Sequence, residues 1–484
     1  MDWSIPQINF QLVLPEIIIT CFAILILILE PLLSKDKKNL LAHLAWIGIM
    51  IAFIANLKLW DLMETTFSDM FIVDNFAIFF KFIFLAGSFL IVLVSIGYLK
   101  REEMVHGEYY SLILFSTLGM MLMASSFNLV IIFLGLEIMS ISLYVLAGFK
   151  RDDLRSNEAS LKYFLMGAFA TGFLLYGIVM IYGSVGSTNL EEIIKSIAFQ
   201  KGGTDLLLWA GIGLLLVGLG FKIASVPFHM WVPDVYEGAP TPVTAFISAG
   251  PKAAGFAALL RVFLFSFVTI KVDWTVIVWV MAVLTMTVGN VVAIAQSNIK
   301  RMLAYSSIAH AGYVLVALVA GKEAGVSSVL FYLLAYTFMN IGAFTVVIAL
   351  GRKDAENTDL DDYSGLGTRH PWLAIFMMLF MISLAGFPPT AGFMAKFYVF
   401  SAAVKSGFVG LVIIAVLNSL VSVYYYLRVV VIMFMRPPVP EAKPISLPLG
   451  SVLVLLISTW GVLQMGIFPQ SLLALAMLSV SSIF

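Results

Sequence analysis

The sequence predicts an all-α polytopic membrane protein of about fourteen transmembrane helices, with two inverted five-helix repeats (helices 4–8 and 9–13) that each contain a broken helix. Three observations lead there. Hydrophobic residues make up 61% of the 484 positions and charged residues only 12%, with a mean hydropathy of +1.02. Ordinary soluble domains carry about 25% charged residues, so lipid has to solvate most of this surface. Basic residues also alternate between rich and poor loops along the whole chain. Finally, two apolar runs are too long for one straight span, and both are interrupted by prolines.

A spanning helix needs about 20 mostly apolar residues. Such runs occur at 10–33, 40–60, 73–98, 109–126, 128–149, 157–182, 206–238, 243–268, 274–296, 300–320, 325–350, 372–404, 408–434 and 448–482. The first run is too long for a signal-peptide core and lacks a basic segment before it, so it reads as a retained helix. Only Ser125-Ser126-Phe127-Asn128 part the fourth and fifth spans. Loops after odd-numbered spans hold fifteen of the 28 Lys and Arg residues, among them Lys35, Lys100, Arg101, Lys300, Arg352 and Lys443. Loops after even-numbered spans hold five: Lys195, Lys201, Lys271, Lys322 and Lys405. Positive charge stays on the cytoplasmic side. Both termini are therefore expected outside, periplasmic if the host membrane is a bacterial inner membrane.

The two long runs locate the repeat. Residues 206–238 contain Pro227 and Pro233; residues 372–404 contain Pro388 and Pro389. Proline removes a backbone donor and clashes with the preceding turn, so both runs should break at mid-depth, which hydrocarbon tolerates only beside protein or a hydrated cavity. The breaks lie five spans apart. LEIMSISLYVLAGF (136–149) echoes YSSIAHAGYVLVAL (305–318), and KYFLMGAFATGFLL (162–175) echoes FYLLAYTFMNIGAF (331–344). An odd offset inverts the second copy, and paired broken helices in inverted repeats point to a transporter. The bland alternative is shared Leu/Gly/Ala composition. The expected divisions are 1–108 (spans 1–3), 109–270 (first repeat), 271–436 (second repeat) and 437–484 (last span).

Eight basic residues fall within predicted spans: Lys58, Lys81, Lys162, Lys222, Lys252, Arg261, Lys396 and Arg428. Glu137 is the only charged residue between Glu108 and Lys150. It lies about 13 Å into its helix, near the middle of a hydrocarbon core about 30 Å thick. Lys252 is equally deep, Lys222 precedes the first break, Lys396 follows the second, and His310 is central in span 10. A lone charge at the bilayer centre costs about 2.5–3.5 kcal/mol on insertion scales, and a low dielectric penalises the charged form of lysine and carboxylate alike. Lysines poised in this way, each responding to its neighbour's charge, form a proton relay; arginine could not serve because it stays protonated. The structural alternative is a set of buried ion pairs. His229 can equally cap broken backbone, Lys162 can snorkel to the interface, and His310 divides evenly between the two readings. Lys81, Arg261 and Arg428 read as structural, and Glu16, Glu30, Lys58 and Asp74 as interfacial. Zero net charge excludes an overall basic nucleic-acid binder. The single cysteine, Cys21, excludes an internal disulfide, an iron–sulfur cluster or a cysteine-type zinc site. GIGLLLVGLG (211–220) lies in an apolar span with no preceding strand, so it reads as close helix packing rather than a nucleotide loop.

Residues 220–252 read GFKIASVPFHMWVPDVYEGAPTPVTAFISAGPK. Together with SLAGFPPTAGFMAKFYVF (383–400) and FLGLEIMSISLYVL (133–146), this resembles the antiporter-like membrane subunits of respiratory complex I, the NADH:quinone oxidoreductase. The stretch PDVYEGAPTPVTAF (233–246) is nearer the subunit-N branch than its M and L sisters, and M would more typically carry a glutamate where Lys396 stands. The resemblance spans roughly 70–435. It implies fourteen helices in two inverted repeats, and proton movement while NADH, FMN, iron–sulfur clusters and quinone are handled by other subunits. The implied partners are sister antiporter-like subunits and small membrane subunits within the bilayer. It also implies roles: Glu137 modulates Lys222, Lys222 serves an inner half-channel, Lys252 connects, and Lys396 discharges outward. Lys162 and His229 match the family's helix-6 lysine and the histidine after the break. Two other readings stay open, a cation/proton antiporter without redox partners and a non-transporting scaffold or quinone-binding subunit.

Overall fold

The computed structural model describes residues 8–34, 37–199, 205–353, 356–438 and 447–481, so the loop charges Lys35, Lys201 and Lys443 lie outside the described residues. Nineteen α-helices appear among the described residues. The N-terminal group is α1 (Leu14–Leu29), α2 (Asn39–Leu57) and α3 (Asn75–Arg101), with a hairpin of β1 (Glu64–Thr66) and β2 (Phe71–Val73) before α3. There follow α4 (Gly107–Ser125), α5 (Leu129–Ala147), α6 (Leu154–Val185), α7 (Leu190–Phe199), α8 (Leu206–Ile223), α9 (Val232–Gly238) and α10 (Thr241–Arg261). The second half holds α11 (Lys271–Ile294), α12 (Ile299–Ala320), α13 (Glu323–Leu350), α14 (Leu366–Arg369), α15 (Pro371–Ala385), α16 (Ala391–Lys405) and α17 (Val409–Met435). The chain closes with α18 (Leu449–Ile467) and α19 (Pro469–Val480).

Local chemistry sets many of these boundaries. Asp74, Asn128, Asp153, Asp205 and Asn298 each cap a helix start, their side chains accepting from backbone N–H groups of the first turn. Capping satisfies donors that have no intrahelical partner. The long runs break where the prolines predicted: 224–231 separates α8 from α9, and 386–390 separates α15 from α16. Twelve helices among the described residues are long and apolar enough to cross a membrane. The two predicted spans outside that set are the fourth, α4, which is rich in Ser, Thr and Gly, and the twelfth, whose two halves are fifteen residues each. Two features were not foreseen. Helix α7 lies in the loop between the sixth and seventh predicted spans, and the last predicted span bends at Phe468 into α18 and α19.

Helices α10, α12 and α13 are enclosed on nearly all sides, and α6, α11 and α17 present apolar side chains outward. Neighbours recur in the two halves: α4 packs on α5 as α11 packs on α12, and α6 packs on α8 as α13 packs on α15. Three acidic residues expected at the interface are buried instead, because the chain supplies each with a partner. Glu16 of α1 pairs with Lys81 of α3 at 2.7 Å. Glu30 takes Lys38 and the Gly107 N–H. Asp74 receives a two-pronged Arg261 guanidinium at 2.8 and 2.9 Å. Lys58 is exposed, as expected. Arg428 donates to the carbonyls of Ile294 and Gln296 at the end of α11, in line with a structural role. In the loop after α13, burial opposes the charge of Glu356, but Lys300 at 2.8 Å holds its carboxyl below the usual range.

Candidate functional site

The first break is built so that its freed backbone is satisfied. Ala224 turns left-handed at the end of α8, and Ser225 N–H donates to Gly220 O at 2.9 Å. The Trp231 indole N–H donates to Phe221 O at 3.1 Å, and Thr285 of α11 accepts from Val226 N–H. Lys222, one residue before the end of α8, is thereby fixed inside the bundle with 2% exposure. Its Nζ has no hydrogen-bond partner and lies 5.4 Å from each of the rings of Tyr144, Tyr163 and Phe221. Glu137, two turns before Tyr144 on α5, is half-buried and within Coulombic reach of Lys222, yet no ion pair joins them. The buried atoms Glu137 Oε1, Tyr144 Oη and Lys222 Nζ all lack hydrogen-bond partners. Buried polar groups are ordinarily satisfied, so three polar atoms left without a partner among the described residues mark this pocket as unusual.

Lys252 follows one turn away across the α8–α10 contact: a Cβ on Gly255 would touch Lys222 Cβ at 3.5 Å. Lys252 is 3% exposed and donates to Ser307 of α12, with the Tyr236 ring beneath its Nζ at 5.8 Å. Ser307 also contacts the Tyr236 hydroxyl at 3.3 Å. One turn along α12, His310 is bonded on both nitrogens, Nδ1 to Tyr332 Oη at 2.6 Å and Nε2 to Tyr426 Oη at 3.1 Å. Tyr426 bonds in turn to Ser306. The adjacent Tyr425 donates to Asn290, whose amide donates to Tyr313 at 3.0 Å. The Tyr313 ring lies 5.0 Å from Lys396 Nζ.

Lys396 sits on the first turns of α16 and donates across the second break, to Ala385 O at 2.8 Å and to Ser419 of α17 at 2.9 Å. Gly386 makes this possible. Its φ of +93° suits glycine, and a Cβ there would lie 3.0 Å from Lys396 Cδ. A cavity of about 650 Å³, walled by apolar side chains of α16 and α17 such as Phe397 and Leu420, reaches Lys396 from the bundle surface.

Five of the seven candidate residues, the half-buried Glu137 and the buried Lys222, Lys252, His310 and Lys396, thus follow one another across the bundle. The other two lie apart from them. Lys162 is 42% exposed and belongs to an ionic cluster at the ends of α6, α9 and α12. There it holds Glu158 and Asp234 at 2.7 Å, while Arg301 holds Asp234 and Glu237. His229 lies within the first break with its Nδ1 buried and unpartnered. The sequence reading did not single out the hydroxyls and the amide that lie between the charged residues, namely Ser307, Tyr332, Tyr426 and Asn290. Their signal was present as polar residues in the interior of otherwise apolar spans.

A family model described as "NADH:quinone oxidoreductase/Mrp antiporter, TM" matches residues 126–422, the stretch that carries Glu137, Lys222, Lys252, His310 and Lys396. The chain belongs to that family. Among relatives in the NADH:quinone oxidoreductase/Mrp antiporter family, a protein of Trichlorobacter lovleyi named NADH-quinone oxidoreductase subunit N is 52% identical, with both chains covered in full. A Solibacter usitatus subunit N is 45% identical over 97% of each chain. A chain of respiratory complex I from Thermus thermophilus, solved with bound aureothin, superposes with a TM-score of 0.82 at 35% identity, covering 95% of this chain and 98% of that one. A chain of the Mrp complex from a Dietzia species superposes at 0.86 with 19% identity, covering 98% of both chains, and shares the fold.

Proposed function

We propose that this chain is the N-type membrane subunit of a bacterial NADH:quinone oxidoreductase and moves protons through the line from Glu137 to Lys396. The observation that carries the reading is that Lys222, Lys252 and Lys396 are each enclosed without a carboxylate in ion-pair contact among the described residues, two of them at helix breaks. A sealed structural lysine ordinarily has a counter-ion; these have none among the described residues. Lys222 takes a proton from the side of the ionic cluster at Asp234, and Glu137 biases its charge. Lys252 connects the two halves of the line, its ammonium held by the Ser307 hydroxyl. His310 accepts on one nitrogen and releases from the other, with Tyr332 and Tyr426 as its hydroxyl partners. Lys396 discharges across the second break. The redox groups and the quinone belong to other subunits, and sister membrane subunits are the neighbours in the bilayer. The matching helix pairs of the two halves support the inverted repeat, and the loop charges support termini on the periplasmic side of the inner membrane.

The deciding experiment uses the whole complex in vesicles. Lys222→Ala should abolish NADH-driven proton uptake, with quinone reduction lost or uncoupled from it. Lys222→Arg should fail in the same way, since a guanidinium does not release its proton. Undiminished pumping in either variant would overturn the proposal.

A further inference from the structure

Away from the proton line, a cavity of about 1000 Å³ opens where the ends of α2, α3, α13 and α18 converge. Its rim carries four cationic side chains, Lys100, Arg101, Arg352 and Lys353. Two are already engaged: Arg101 pairs with Glu102 at 3.0 Å and donates to Ile348 O and Gly351 O, and Lys353 pairs with Glu103 at 2.7 Å. Lys100 and Arg352 are exposed and form no ion pair among the described residues. Below the rim the walls turn apolar, through Leu93, Ile96 and Leu453. Trp46 stands at the boundary, its indole N–H bonded to His43. The floor is shut by close backbone packing. A Cβ on Gly450 would lie 2.2 Å from Leu93 O, and one on Gly97 would lie 2.5 Å from Pro448.

Cationic groups above, an aromatic ring between and aliphatic walls below follow the polarity gradient of one bilayer leaflet. Basic pockets between transmembrane helix ends suit anionic lipid headgroups. We propose that this cavity seats an anionic glycerophospholipid, with its phosphate held by Lys100 and Arg352 and an acyl chain lying along Leu93, Ile96 and Leu453. The loop charges place it in the cytoplasmic leaflet; the ligand class does not depend on that placement or on the proton path. An acidic segment of a neighbouring subunit would meet the rim but would leave the aliphatic wall without an apolar occupant.

The test is lipid retention by the purified complex. Detergent-washed complex is reloaded from phosphatidylcholine vesicles containing a minority of phosphatidylglycerol, and bound lipid is counted by mass spectrometry. Lys100→Gln with Arg352→Gln should bind phosphatidylglycerol at this site about thirty-fold more weakly, from the loss of two surface cations. Leu453→Trp, which fills the wall and leaves the charge intact, should also lower retention and serves if the double variant does not assemble. Unchanged retention in the variants that assemble overturns the proposal. So does displacement of the lipid by inorganic phosphate, which marks a free-anion site, or cross-linking from position 100 to a neighbouring subunit, which marks a protein seat.

Discussion

At the scale of single residues, the lysines alone do not make a path. Hydroxyl, imidazole and amide groups lie between Lys252 and Lys396, and on the proposed path Tyr426 is a link that a single substitution can remove. Its hydroxyl bonds both to His310 Nε2 and to Ser306. Tyr426→Phe keeps the ring against Tyr425 and deletes only that hydroxyl. Losing one hydrogen-bonded link worth about 1.4 kcal/mol in a transfer barrier slows the step about tenfold. Proton pumping should therefore fall about tenfold in the assembled complex while its thermal unfolding midpoint stays unchanged. Equal loss of both would make Tyr426 a packing residue. The charged members of the line were legible in the sequence because a charge inside an apolar run has no local explanation. The tyrosines and serines were not, because hydroxyls are common in membrane helices and only the partner across the bundle separates a link from a filler.

At the scale of elements, the proline pairs announced both breaks, but not how each broken end would be satisfied. That depended on Trp231 inside the first break, which folds back on α8, on Thr285 of α11, and on Lys396 of α16, which reaches back to Ala385. The same holds for the Asp74–Arg261 pair, which ties the start of α3 and the last turn of α4, through Ala124 O, to the end of α10. Sequence position put Asp74 near a span end and suggested interfacial exposure; folding brought an arginine 187 residues away onto it. Removing one partner of a buried pair costs about 3–5 kcal/mol because the other charge is stranded, whereas replacing both by apolar side chains is often neutral. Asp74→Asn should sharply reduce the complex recovered from membranes. Asp74→Leu combined with Arg261→Met should restore most of it. If the double variant is no better than the single one, the pair has a role beyond holding these helices.

At the scale of the whole molecule, the charge asymmetry of the loops predicts which way the bundle sits. Alkaline phosphatase, active only outside the cytoplasm, should be active when fused after Phe484 and inactive when fused after Arg352. The reverse pattern would invert the proton path and move the lipid cavity to the other leaflet. The sequence by itself determined the solvent, the number and order of apolar runs, the places where helices must break and the charges that need explaining. These follow from local composition and from backbone chemistry, which act within a few residues. Only the tertiary structure decided which buried charges form ion pairs, such as Glu16 with Lys81, and which have no ion pair among the described residues, such as Lys222. In hydrocarbon the fate of a charge rests on what lies within a few ångströms of it, and that neighbourhood is assembled from helices far apart in the chain.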